Sequence, residues 1–108
     1  MTKTLAALGL LLAASGSLSS ASAQAADGHA LYDANCKKCH GVAGVPSAGI
    51  KKMSPKIETL DAAFFAKRTD ADLVKQISEG KDKMKPFKDK LTPDEIAAVA
   101  KYMRTLGK

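Results

Sequence analysis

The stretch that decides the fold is Cys36-Lys37-Lys38-Cys39-His40. Its two thiols stand three positions apart, so on a helical turn they lie on the same side. The imidazole of the next residue follows them directly. The pattern therefore predicts a site at which two sulfurs and one ring nitrogen act together on a single partner.

The amino-terminal segment has the composition of a secretory signal. A short cationic head ending at Lys3 precedes an apolar run over residues 5–14, and small residues suited to signal peptidase follow. We predict a signal peptide over residues 1–23, or 1–25 if the alternative site is used, and a mature domain over 24–108. The apolar run falls well short of the roughly 20 residues that cross a bilayer. We therefore expect no permanent membrane anchor.

Composition predicts one small domain that needs more than its own side chains to form a core. The chain has 108 residues, a formal net charge of +6 and 5% aromatic residues. Small exported domains commonly add disulfides or a metal to compensate for a limited core. The two cysteines are too close in sequence for a disulfide between them to stabilise much. A bound group is the expected source of the missing core.

Covalent attachment of one haem through Cys36 and Cys39, with His40 on the iron, explains these features together. The export signal supports it, because covalent haem attachment takes place outside the cytoplasm. A thioredoxin-like redox pair would need a preceding strand and a βαβ pattern, and neither is present. A zinc site needs four ligands, and His29 is the only other histidine. A plain disulfide stays open but leaves the position of His40 unexplained.

The remaining sequence predicts helices and loops without a strand pattern. Helix starts are marked by the capping residues Asp27, Thr69 and Thr92. The expected helices lead from Asp27 into the cysteine motif, then cover 58–67, 69–80 and 92–107. Glycine and proline predict long irregular loops over 41–56 and 81–91. The fold class is therefore all-α.

Three further stretches carry a family resemblance: Gly28-x-x-Leu31-Tyr32, Lys83-Met84-Lys85-Pro86-Phe87, and the closing helix over 96–106. With them, nearly all of the mature chain resembles a class I c-type cytochrome. The resemblance implies a cytochrome c-like fold, with three to four helices and long loops wrapped around one covalently bound haem. It also implies that the first and last helices cross at Gly28 and Tyr102. Lys85 departs from the family pattern, in which the methionine often directly precedes proline.

Met84 is the predicted second axial ligand of the iron. It lies at the centre of a loop between two capped helices, with Phe87 near enough to cover the haem. Met103 falls on the apolar face of the last helix and is assigned to core packing. Met53 follows His40 closely in a polar loop and is expected to pack or to face solvent. A thioether ligand would raise the reduction potential.

Two smaller expectations concern histidines. His29 is predicted to be a surface or partly buried side chain. A metal-bound histidine normally donates the proton of its second ring nitrogen to a carbonyl or carboxylate. The family resemblance implies a proline carbonyl as the acceptor for His40, and Pro55 matches that pattern better than Pro46.

Lysines are concentrated on both sides of the predicted haem. They are Lys37, Lys38, Lys81, Lys83, Lys85, Lys88 and Lys90. Such a field speeds encounters with acidic partners, although lysines interrupted by Asp82 and Asp89 also serve as a solubilising face. Nucleic acid is disfavoured as a partner by the expected compartment.

The sequence and the resemblance together predict an exported, soluble periplasmic cytochrome that passes single electrons between redox proteins and is not an enzyme. With His40 and Met84 on the iron, no substrate needs to reach the metal. The alternative function is a cytochrome subunit of a periplasmic dehydrogenase or oxidase complex.

Overall fold

The computed structural model describes Gly9 and residues 26–108, and in this part the chain forms six helices joined by loops. They are α1 (Gly28–Asn35), α2 (Lys37–His40), α3 (Ala48–Met53), α4 (Ala62–Ala66), α5 (Asp70–Glu79) and α6 (Pro93–Leu106). No strand forms in the described residues, and the only extended pairing there is an isolated bridge between Lys81 and Met84. The predicted all-α fold is confirmed.

The predicted signal peptide, over 1–23 or 1–25, lies outside the described residues apart from Gly9. Among the helices that the structure describes, none is long and apolar enough to span a membrane.

Short polar side chains satisfy the free amides at the helix starts. The Asp27 carboxylate accepts a hydrogen bond from the Ala30 amide at 3.1 Å. Full capping boxes, in which side chain and backbone bond reciprocally, open α5 and α6. The boxes pair Thr69 with Asp72 and Thr92 with Glu95. These starts agree with the sequence expectation.

The segment over 41–56 is not the continuous irregular loop that its glycines and prolines predicted. It contains α3, which begins where the Ser47 hydroxyl accepts a hydrogen bond from the Ile50 amide at 3.3 Å. Gly49 lies inside this helix, and a Cβ there would contact nothing within 4 Å. The glycine therefore marks no turn.

The helix expected over 58–67 is also shorter than predicted. It is reduced to α4, with Asp61 as its N-cap. A break at Cys36 separates α2 from α1, because the backbone there leaves helical geometry at φ −121°. Six helices are therefore described where three to four were expected.

The core forms where α1 and α5 pack on α6. Its most deeply buried large side chains are Tyr32, Leu60, Leu73 and Val99. At the crossing of α1 and α6, a Cβ on Gly28 would overlap the Ala98 carbonyl and lie 3.1 Å from the Cβ of Tyr102. The predicted crossing at Gly28 and Tyr102 is thus observed.

Replacing Gly28 with alanine should destabilise the protein by about 1 to 3 kcal/mol, because the added methyl forces the two helix backbones apart. Gly49→Ala is the matched control. It adds the same methyl to an exposed helix and should be neutral or stabilising by up to about 1 kcal/mol. Denaturant unfolding of the purified protein checks both values. Equal stability of the two variants would contradict the close crossing.

The capping box of α5 should make the stability of the folded protein depend on pH. Hydrogen bonds from Thr69 lower the pKa of Asp72 below its usual range. A carboxylate whose pKa is lower in the folded than in the unfolded protein stabilises the fold when the pH is above the unfolded-state pKa. This stabilisation is lost as the pH falls through the folded-state pKa. Asp72→Ala should therefore destabilise more at about pH 7 than at about pH 3. Thermal unfolding of wild type and variant at both pH values tests this. An equal loss of stability at the two pH values would refute it.

Candidate haem site

The cysteine motif forms a helical turn between α1 and Gly41. The Cys36 amide donates to the Tyr32 carbonyl at 2.8 Å, and the His40 amide donates to the Cys36 carbonyl at 2.9 Å. Cys36 is buried at 8% exposure, whereas Cys39 is exposed, and neither is in a disulfide. The structure thus places both thiols and the imidazole on one turn, as the sequence predicted.

The environment of Cys36 disfavours thiol redox chemistry. Burial, followed by the neighbouring Cys39, raises the pKa of the Cys36 thiol to about 11. The attacking cysteine of a redox CxxC pair is accessible and has a lowered pKa. A zinc site needs several ligating side chains close together. The described residues contain no group of three or more histidine, cysteine or acidic side chains that could hold a metal ion. The two thiols are therefore better suited to attachment than to exchange.

His40 is suited to bind a metal through one ring nitrogen. Burial lowers the pKa of its imidazole, so the ring is neutral near pH 7 and keeps a free lone pair. Its Nδ1 is the one buried side-chain nitrogen or oxygen in the described chain without a hydrogen-bond partner. Such an orphaned group calls for a functional explanation. The site fits the haem predicted from the sequence.

The proline carbonyl expected to accept from His40 does not do so in this structure. His40 Nδ1 has no hydrogen-bond partner, and Pro55, which the sequence analysis preferred, is exposed. Pro46 is buried. In this structure neither proline carbonyl accepts the expected hydrogen bond from His40 Nδ1.

The backbone after His40 is held by a residue whose role the sequence analysis missed. The Tyr32 hydroxyl donates to the carbonyl of Gly41 at 2.6 Å. Gly41 has φ +82°, a conformation that L side chains rarely adopt. The sequence offered a weak signal only, namely a tyrosine one helical turn before the first cysteine.

Met84 lies in a tightly folded turn after α5. The amides of Lys81 and Met84 each donate to the other residue's carbonyl, at 3.1 and 2.9 Å. The Phe87 amide donates to the Ile77 carbonyl at 3.0 Å, which fastens the loop to α5. The side chains of Met84 and Phe87 are partly buried against the core cluster. The loop thus presents a thioether from a defined backbone position.

The other methionines occupy different environments. Met103 is 6% exposed in the core of α6, as predicted, and the Met53 side chain is 61% exposed to solvent. The carbonyl of Met53 accepts a hydrogen bond from the Lys83 ammonium group. This contact joins the end of α3 to the Met84 turn.

His29 is a surface side chain, as expected. It is 63% exposed, pairs with Asp33 at 3.3 Å and stacks on the Tyr102 ring with centroids 4.6 Å apart. These contacts leave it no role in the candidate haem site.

The charged surface expected from the sequence is accessible. All seven lysines of the two runs around the cysteine motif and the Met84 turn are exposed. The chain after His40 adds the exposed apolar side chains of Val42 and Val45. A surface of this kind combines long-range charge with small apolar contacts.

Gly80 should be required for the Met84 turn. It has φ +73°, and a Cβ there would lie 2.5 Å from the Met84 carbonyl oxygen. Gly80→Ala should destabilise by about 1 to 3 kcal/mol and accelerate hydrogen exchange of the Met84 amide. Glu79→Ala, an exposed helical neighbour, is the control. Unchanged exchange in Gly80→Ala would contradict the described turn.

The known proteins that this chain resembles are cytochromes. Residues 23–103 match the family model described as cytochrome c oxidase, cbb3-type, subunit III. Cytochrome c6 of Leptolyngbya boryana is 35% identical over 81 residues, which cover 75% of this chain and 91% of that protein. Cytochrome c6 of Anabaena variabilis is 35% identical over 88 residues, with coverages of 80% and 93%. A solved c-type cytochrome structure, 39% identical, superposes with a TM-score of 0.69 over 76% of this chain and 99% of that one.

Proposed function

The chain belongs to the class I c-type cytochromes, as a monohaem electron carrier with covalently bound haem c, and we propose that Cys36 and Cys39 hold the haem while His40 and Met84 ligate its iron. The observation that carries this assignment is the single CxxCH turn whose buried imidazole has an unpartnered nitrogen. The partly buried thioether of Met84 would supply the second ligand.

The bound haem supplies a one-electron Fe(III)/Fe(II) couple. His40 contributes a neutral ring nitrogen because burial lowers its pKa, and Met84 contributes a sulfur that favours the ferrous state. Phe87 packs against the core cluster, as Met84 does, and would help to exclude water from this side of the site. If His40 and Met84 both ligate the iron, no position on the metal is left for a substrate, so we infer that the chain acts as a carrier and not as an enzyme.

The proposed compartment is the periplasm. Residues 1–23, or 1–25, act as a cleaved signal peptide, and 24–108 form the soluble cytochrome domain without a permanent membrane anchor. The cationic head and the short apolar run support export. Attachment of haem outside the cytoplasm then follows export.

The proposed partners are redox proteins with acidic docking surfaces. The exposed lysines of the two runs would attract them, and the exposed side chains of Val42, Val45 and Met53 would supply apolar contact on docking. Nucleic acid is not a proposed partner, since the basic surface lies in an exported domain.

The second candidate function is a cytochrome subunit held permanently in an oxidase or dehydrogenase complex. The matching family model, whose description names an oxidase subunit, favours it. The match to 91% of the length of a cytochrome c6 favours the free carrier. Size-exclusion chromatography of native periplasmic extract separates them, because the carrier elutes as a small protein and the subunit only in a large complex.

Carbon monoxide binding tests the second axial ligand. The reduced wild-type protein should bind carbon monoxide slowly or not at all near neutral pH, because the Met84 sulfur occupies the iron. Met84→Ala should bind it rapidly, whereas Met53→Ala, the matched control, should behave like wild type. Rapid binding by the wild-type protein would show that Met84 does not hold the sixth position.

Electron-transfer rates test the docking surface. Lys85→Gln and Lys88→Gln should each lower the second-order rate with an acidic redox protein by about two- to tenfold at low salt. Added salt should remove the difference. Lys75→Gln and Lys101→Gln, on α5 and α6, are the charge-matched controls. Equal losses in all four variants would mean that net charge, and not this surface, governs the rate.

A further inference from the structure

Tyr32 contacts both ends of the haem-binding turn. Its backbone carbonyl accepts from the Cys36 amide at 2.8 Å, and its hydroxyl donates to the Gly41 carbonyl at 2.6 Å. The first contact lies at the first sulfur and the second lies directly after His40. One residue thus brackets the whole segment that attaches and ligates the haem.

The side chain of Tyr32 is itself rigidly placed. It is 0% exposed, and its ring lies 5.3 Å from that of Tyr102 at the crossing of α1 and α6. Burial raises the pKa of the Tyr32 phenol well above its usual range. The hydroxyl therefore keeps its proton and remains a donor throughout the range in which the protein works.

The backbone of Gly41 makes three hydrogen bonds. Its carbonyl accepts from Tyr32 and, at a longer 3.3 Å, from the Gly44 amide. Its own amide donates to the Lys37 carbonyl at 2.8 Å. The contact from Tyr32 is the only one of these that reaches the turn from outside residues 37–44.

We propose that Tyr32 is a positioning residue, whose hydroxyl fixes the Gly41 carbonyl and through it the orientation and electrostatic environment of the His40 imidazole. The inference rests on the haem site proposed above. It assigns to Tyr32 an influence on the reduction potential in addition to core packing.

The direction of the change in reduction potential follows from the partial charges of the Tyr32 hydroxyl and the Gly41 carbonyl. The hydroxyl proton offsets part of the negative charge on the Gly41 oxygen. Without this proton, the Gly41 oxygen keeps only the longer hydrogen bond from the Gly44 amide. More negative charge then remains on the residue next to the proposed ligand His40, and this would stabilise ferric iron over ferrous. Loss of the hydroxyl should therefore lower the reduction potential.

The test compares Tyr32→Phe with Tyr102→Phe in the haem-containing protein. Both variants remove a phenol hydroxyl from the same aromatic cluster, but the Tyr102 hydroxyl has no hydrogen bond to the haem-binding turn. At a fixed ambient potential, Tyr32→Phe should shift the ferric-to-ferrous ratio toward ferric by at least about twofold, the low end for a lost neutral hydrogen bond. Tyr102→Phe should leave the ratio unchanged.

Equal ratios in wild type and Tyr32→Phe would overturn the proposal, even if Tyr32→Phe melts at a lower temperature. Equal shifts in both variants would overturn it too, since they would reflect the cluster and not the Gly41 bond. If the wild-type protein lacks covalent haem, the proposed function fails first, before either variant is compared.

A second experiment does not depend on the folding of Tyr32→Phe. The chain has two tyrosines, so in Tyr102→Phe biosynthetic fluorotyrosine enters at Tyr32 alone. The fluorinated phenol is more acidic and a stronger donor, so the potential should rise relative to unlabelled Tyr102→Phe. An unchanged or lowered potential would contradict the positioning role.

Discussion

The close crossing of α1 over α6 is the contact on which the rest of the structure depends. At Gly28 the two backbones approach until no Cβ would fit against Ala98. One helical turn later, α1 places Tyr32 in the core, and the buried Cys36 follows directly after the end of the helix. The position of the turn that carries the cysteine motif is therefore set by backbone packing at the far end of α1.

The loop that carries Met84, the proposed second ligand, is fixed by a separate part of the fold. Gly80 ends α5 with a positive φ, and the chain then folds back so that Phe87 bonds to the backbone of α5. This loop contacts the end of α3 and the residues after it at the protein surface. There the Lys83 ammonium group donates a hydrogen bond to the Met53 carbonyl, and Lys56 Nζ lies 3.8 Å from Asp82 Oδ1. Exposed pairs of this kind contribute little to stability, so the helices carry most of the positioning.

Local signals in the sequence predicted the features that depend on neighbouring residues. The capping boxes at Thr69 and Thr92 work through residues three positions apart, so the sequence was sufficient to find them. The crossing at Gly28 followed from family resemblance, because no local rule pairs it with Tyr102. The Met84 assignment came from its place between capped helices and stays a prediction.

Predictions from the sequence were wrong or incomplete where the backbone conformation could not be read from residue composition. Gly49 was interpreted as part of a loop, but it lies within α3, a helix whose first turn is capped by Ser47. The Tyr32 hydroxyl reaches Gly41 nine positions away only because of the helix break at Cys36 and the unusual φ of Gly41. Glycine permits the positive φ at position 41, but residue type alone does not show that this conformation or the break at Cys36 occurs.

Intact-mass spectrometry of the mature exported protein tests the central claim most directly. We expect a polypeptide that begins at residue 24 or 26 and carries the added mass of one haem, with neither Cys36 nor Cys39 free for alkylation. A polypeptide without haem mass, whose two thiols are free or joined to each other, would contradict it.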